Sequence, residues 1–94
     1  MKLLIHAING IGLGHVIRTS RVAQAFRRIR PDAEIVFVTN TKYSEYLKKN
    51  YKTYALKKDT REVIEGRYPY EEYLRYNARS ISKIMAHELP DAAL

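Results

Sequence analysis

The sequence contains no cysteine, which excludes a disulfide framework, a thiol nucleophile and any zinc site built on thiolates. A reducing, cytosolic setting is the expectation that follows. No apolar run approaches the roughly 20 residues a membrane span requires. The N-terminus also lacks a basic segment followed by an apolar stretch, so neither a secretory leader nor a spanning helix is expected. Ser/Gly-rich linkers, repeats and low-complexity tracts are missing too, and the chain reads as one folding unit. It offers no cluster of metal-ligand residues, so no metal site is read from it; no cofactor is expected either.

What is present is 94 residues, 46% hydrophobic and 29% charged, with 17 Lys+Arg against 10 Asp+Glu and a formal charge of +7. That composition is globular rather than disordered. A domain of this size hides only about 60–65% of the surface its unfolded chain exposes. It can hold a core, but it cannot also wall a deep active site between two lobes.

Leu3-Leu4-Ile5-His6-Ala7 is a short apolar run ended by Asn9-Gly10, as in a buried parallel strand. From His15 to Arg30 the period becomes helical, with Val22, Ala23, Ala25, Phe26 and Ile29 on one arc and Ser20, Arg21, Gln24, Arg27 and Arg28 on the other. Glu34 to Thr39 is β-branched and aromatic and reads as a second strand. Strand, glycine turn, helix and strand together make a βαβ unit of normal size, so the strands are predicted parallel. Ser44 can cap a short helix reaching Asn50, and Lys52 to Leu56 fits a third strand. Tyr70 to Glu88 is again amphipathic: Tyr70, Tyr73, Leu74, Asn77, Ile81, Ile84 and Met85 line one side, and Pro90 ends it. The expected fold is α/β, an incomplete Rossmann-like three-layer domain with a short parallel sheet of about three strands and flanking helices. A further strand is expected after the last helix, where the sequence reaches Pro90-Asp-Ala-Ala-Leu94, which suggests a fragment or a truncated reading frame.

Gly10-Ile11-Gly12-Leu13-Gly14-His15 falls between the first strand and the first helix, at the crevice edge where open parallel sheets bind ligands. Glycines there let backbone N–H groups approach an anion, and the following helix N-terminus adds partial positive charge. A phosphate or diphosphate is the expected guest of Gly10, Gly12 and Gly14. Two familiar phosphate loops fail. The dinucleotide pattern GxGxxG begun at Gly10 requires glycine where His15 stands, and Thr39-Asn40 replaces the acid expected after the second strand. The nucleoside-triphosphate loop requires lysine where Val16 stands.

What remains is GxGxGH, with an imidazole on the first helical turn, where the helix dipole favours its neutral, proton-accepting form. His15 is the candidate general base, the alternative being a helix-capping role alone. Arg18, one turn on, falls on the apolar arc. It could reach an anion or a carboxylate partner, or bury its stem and send its head to water. His6 reads as a satisfied core histidine, and His87 as a favourable pairing with a helix C-terminus.

The residues Asn9-Gly-Ile-Gly-Leu-Gly-His-Val-Ile-Arg18, then Ala23, Ala25 and Phe26, then Asp32 to Thr39, resemble the N-terminal domain of two-domain, GT-B type nucleotide-sugar glycosyltransferases. The nearest likeness is to bacterial and archaeal glycosyltransferases with a GLGHxxR signature. The peptidoglycan N-acetylglucosaminyltransferase, with its GGTGGH loop, is more distant, and it has proline where this chain has Arg18. The resemblance covers Lys2 to about Thr41, with weaker likeness in Thr60 to Gly66 and Tyr70 to Leu74.

It implies that residues 1–94 are a truncated acceptor-side domain lacking the C-terminal donor-binding domain, and so inactive alone. It implies His15 as base, phosphate contacts from Gly12 and Gly14, no metal, and a nucleotide-sugar donor with a hydroxyl acceptor, which in such enzymes is often lipid-linked. The pseudaminic-acid-pathway nucleotide-sugar hydrolase carries a similar IGxGHVMR stretch and would use the same loop with water as nucleophile.

A nucleic-acid-binding module is the reading from another class, because +7 is a sizeable electrostatic signal. Against it, the charge is spread, +4 over residues 1–47 and +3 over 48–94. Tyr70 and Tyr73 also suit a core stripe better than a base-stacking platform; nucleic acid is not the expected partner. The basic face of Arg21, Arg27 and Arg28 is either a solvated face or a contact for anionic lipid, which would make the protein peripheral at the inner face of the membrane.

Overall fold

Lys2-Leu-Leu-Ile-His-Ala7 (β1) and Glu34-Ile-Val-Phe-Val-Thr39 (β2) lie side by side in parallel, paired from Lys2 with Glu34 to Ala7 with Thr39. The computed structural model describes residues 1–7, 14–40, 45–56 and 60–94, with the backbone alone at positions 14, 15, 46, 60 and 61. Within them, helix α1 (Gly14–Ile29) joins β1 to β2, and α2 (Glu45–Lys48) leads to β3 (Lys52–Ala55). Next come α3 (Thr60–Ile64), α4 (Tyr70–Glu88) and β4 (Ala92–Ala93). All pairings are parallel and the order is β3-β2-β1-β4. Among the described residues the sheet thus has four strands, one more than the pattern predicted, because Ala92 and Ala93 add to the free edge of β1 opposite Leu3 and Leu4.

Alternation along β1 and β2 divides the core into two layers. Leu3, Ile5, Ala7, Ile35 and Phe37 face one way and pack with Val16, Ala23 and Phe26 of α1 and with Leu47 and Tyr51. Leu4 and Val38 face the other way and meet Ile84 and Ile81 of α4, with Tyr54 and Leu56 alongside. The result is the expected α/β layering, helices on both faces of a parallel sheet. No helix among the described residues is long and apolar enough to cross a membrane.

Both long helices bury a stripe rotated from the most apolar one. In α1 the buried positions are Val16, Ser20 and Ala23, while Val22 and Ile29 are exposed at 49% and 78%. The helix carries two stripes at helical spacing, and the one with smaller residues lets it approach the sheet closely. Ser20 tolerates burial because its hydroxyl donates to the Ile17 carbonyl at 2.8 Å. In α4, Tyr73, Asn77, Ile84 and Glu88 are buried, whereas Tyr70, Leu74 and Met85 stand in solvent. Tyr70 therefore does not belong to the core.

Glu88 ends α4 as a buried carboxylate, and it fastens the helix to the amino-terminal edge of the sheet. Its Oε1 lies 3.0 Å from Lys2 Nζ and its Oε2 lies 2.6 Å from Lys52 Nζ. The Tyr54 hydroxyl donates to Oε2, and Lys2 Nζ also donates to the Glu88 carbonyl at 2.9 Å. The hydrogen bonds from Lys52 and Tyr54, aided by Lys2, hold the Glu88 carboxyl down at about 2, from 4.5. The same bonds raise Lys52, Lys2 and the Tyr54 phenol.

A carboxyl depressed in the folded state stabilises it above the ordinary value, and that contribution fades as pH falls through the depressed one. Glu88→Gln leaves two ammonium groups that water can reach, with side chains 24% and 52% exposed. The expected cost is therefore about 1–3 kcal/mol at pH 7. In urea melts at a series of pH values, the gap between parent and variant narrows from pH 4.5 towards pH 2. A gap constant with pH would show that the charge of Glu88 is not what matters.

The helix stops at Leu89, which adopts a left-handed conformation (φ 50°, ψ 57°) with its N–H donating to the Met85 carbonyl. Glycine is the residue this position favours, since a Cβ there is strained. Leu89 is 76% exposed, so little packing would be lost on removing its side chain. Leu89→Gly is expected to stabilise by ~1 kcal/mol, raising Tm by roughly 4–8 °C; an unchanged or lower Tm in a thermal melt would contradict this.

Candidate functional site

The carboxyl ends of β1 and β2 come together at Ala7 and Thr39. In open parallel sheets ligands settle beyond these ends, close to the strand at which the order reverses. Here that strand is β1, with β2 on one side and β4 on the other.

The stretch between Ala7 and Gly14, which holds Gly10 and Gly12, lies outside the described residues. So does Ser44, the predicted cap of α2. Gly14 opens α1 and His15 follows it, so the backbone of both belongs to the first turn of a 16-residue helix. That turn contains no acidic residue. With the macrodipole, the start of the helix makes an environment that favours an anion.

Arg18 lies on the exposed stripe of α1 with Val22 and Ile29, turned away from the buried Val16, Ser20 and Ala23. Among the described residues it makes no ion pair, so the carboxylate partner considered for it is not found there. Gly14, His15 and Arg18 share the first part of one helix, and the structure brings them together to that extent.

Three further side chains gather at this edge. His6, half-buried near the end of β1, has its Nε2 2.7 Å from Asn40 Oδ1. Asn40 follows β2 directly and is completely buried. Its Nδ2 donates to Asn77 Oδ1 of α4 at 2.7 Å. His6 is thus hydrogen-bonded, as a core histidine would be, yet its partners are polar and form a line that ties both strand ends to α4. In the sequence Asn40 shows only as a residue standing where a dinucleotide site has its acid, and Asn77 as one member of the stripe along the last helix. The available signal was the spacing of Tyr73, Asn77, Ile84 and Glu88, which puts two polar residues on the sheet-facing side.

Of the basic face, Arg21 and Arg28 are exposed, as a solvated face requires, and Arg27 departs from it. Arg27 is half-buried, with its guanidinium 4.7 Å from the centroid of the Tyr51 ring and within 3.5 Å of the Asn50 carbonyl. It lines an open groove of about 340 Å³ with Gln24, Arg28, Asn50 and Tyr51. That groove is at the opposite end of α1 from Gly14. A second groove, of about 250 Å³, runs along the outer side of α4 between Tyr68, Glu72, Arg75, Tyr76 and Arg79.

Comparison of the chain with protein-family models, curated proteins and solved structures finds no match in any of the three. Among the described residues no group of three or more His, Cys, Asp or Glu could hold a metal ion. What the edge offers among the described residues is a helix N-terminus whose first turn holds no acidic residue, an arginine on the same helix, and a line of neutral hydrogen-bonding groups. These are means of binding an anion and a hydroxyl-bearing group and of moving a proton between them.

Proposed function

We propose that this chain is the acceptor-side domain of a glycosyltransferase that moves a sugar from a nucleotide-sugar donor to an acceptor hydroxyl. One observation supports the reading: in sequence GxGH-x-x-R, from Gly12 to Arg18, follows the first strand of a parallel sheet, and its Gly14 to Arg18 open helix α1. In the proposed reaction His15 takes the proton of the acceptor hydroxyl as its oxygen attacks the anomeric carbon. The bond from that carbon to the diphosphate oxygen breaks, and the nucleoside diphosphate departs. Amides of Gly10, Gly12 and Gly14, the α1 N-terminus and Arg18 stabilise its charge.

The test is the release of nucleoside diphosphate by the full-length gene product, measured with and without hydroxyl acceptors. Release that depends on acceptor is the expected result. Equal release in water alone would assign the loop to a hydrolase, and no release from any nucleotide sugar would remove both readings.

A further inference from the structure

We propose that His6 is a second ligand-binding residue of this crevice: Asn40 and Asn77 fix its ring through Nε2, and its Nδ1 accepts a hydrogen bond from a hydroxyl of the bound molecule. The inference deepens the glycosyltransferase reading and rests on it for the identity of that molecule. It begins with the polarity of the hydrogen-bonded line. A side-chain amide has a donor end and an acceptor end. Asn40 donates through Nδ2 to Asn77 Oδ1 at 2.7 Å, which leaves its Oδ1 to face His6 Nε2 at 2.7 Å. An amide oxygen only accepts, so Nε2 carries the hydrogen. The neutral imidazole then keeps its lone pair on Nδ1.

Burial makes this arrangement costly. Asn40 is 0% and Asn77 6% exposed, in a layer whose other members are Leu4, Val38, Ile81 and Ile84. Apolar side chains at these two positions would pack without needing partners, whereas a buried amide must be hydrogen-bonded or it destabilises the fold. Between them the two amides hold one imidazole in one tautomer.

That imidazole is on β1, the strand at which the sheet order reverses, one residue before its carboxyl end. It is half-buried rather than sealed, and among the described residues no hydrogen bond reaches its Nδ1. A lone pair held in place at the ligand-binding edge of a parallel sheet suits a hydroxyl donor such as a sugar.

The experiment reads the His6 ring directly, by long-range ¹H–¹⁵N correlation in the ¹⁵N-labelled protein at a pH where the ring is neutral. The proton is expected on Nε2; a proton on Nδ1 overturns the proposal. UDP-glucose and free glucose are then added in separate titrations. The Nδ1 resonance is expected to move with at least one probe. His6→Gln, which can still donate to Asn40 but lacks the Nδ1 acceptor, is expected to weaken that probe's binding at least tenfold with an unchanged melting temperature.

If either sugar shifts backbone resonances while Nδ1 stays fixed, the His6 proposal falls and the glycosyltransferase reading stands. If Nδ1 responds but the full-length product releases no nucleoside diphosphate, the catalytic reading falls and His6 remains a sugar-binding residue. Binding of neither probe overturns the His6 proposal, and the glycosyltransferase reading is then decided by release of nucleoside diphosphate from the full-length product.

Discussion

Replacing His15 with alanine is expected to lower acceptor-dependent release of nucleoside diphosphate by about 10²–10⁴-fold, the usual loss when a general base is removed. The effect belongs mainly in kcat, because the proposed contact matters most when the hydroxyl is losing its proton. His15 is the second residue of α1, where alanine is an excellent helix former. The fold should therefore survive the change, and a circular dichroism spectrum like the parent's would establish that the loss is chemical. A fall of less than about threefold would leave His15 a capping residue and withdraw its catalytic assignment.

The largest structural effect is expected at Phe37. Its side chain is fully buried in the middle of β2, between strands on both sides. Its ring centroid lies 5.0 Å from that of Tyr51, at an interplanar angle of 56°, within the layer that also contains Leu3, Ile5, Val16, Ala23 and Leu47. Phe37→Ala removes this packing and leaves a cavity that a central strand cannot collapse to fill, at a cost of about 3–5 kcal/mol. A domain of this length has roughly 5–14 kcal/mol in total, so the loss is a large fraction of it and the variant's melting temperature should fall steeply. Phe37→Leu keeps most of the volume and should lose less than half as much. Urea midpoints of the two variants compare these losses directly, and equal losses would mean that the ring's packing is not the source of the stability.

The parallel sheet was legible because β1 and β2 carry signals of two kinds that agree. Their residues are apolar and β-branched without alternation, and each is bounded by turn residues. The helices were legible in extent but not in orientation. In α1, Val22 and Ile29 look like core residues by character, yet Val16, Ser20 and Ala23 take the buried side, since the spacing fits either stripe and only contact with the sheet decides between them. α4 repeats the lesson with Tyr70 exposed and Glu88 buried, because a carboxylate can go inside when Lys2, Lys52 and Tyr54 come to meet it. Those partners are 86, 36 and 34 residues away in sequence, and no local pattern announces them.

The site was legible as a position and a set of residue types. The helix start at Gly14 and His15 follows from the change of period, whereas the line from His6 through Asn40 to Asn77 depends on the pairing of β1 with β2 and on the face of α4 that meets them. Arg18 shows the limit of pattern alone: it shares a stripe with apolar residues, and that stripe is the exposed one.

The central claim is sugar transfer to a hydroxyl acceptor, and the most direct test is to follow an isotopically labelled sugar from its nucleotide donor through the full-length gene product. The predicted result is label covalently attached to the acceptor, formed at the same rate as nucleoside diphosphate appears. Label found only as free sugar, at a rate indifferent to acceptor, would contradict the account.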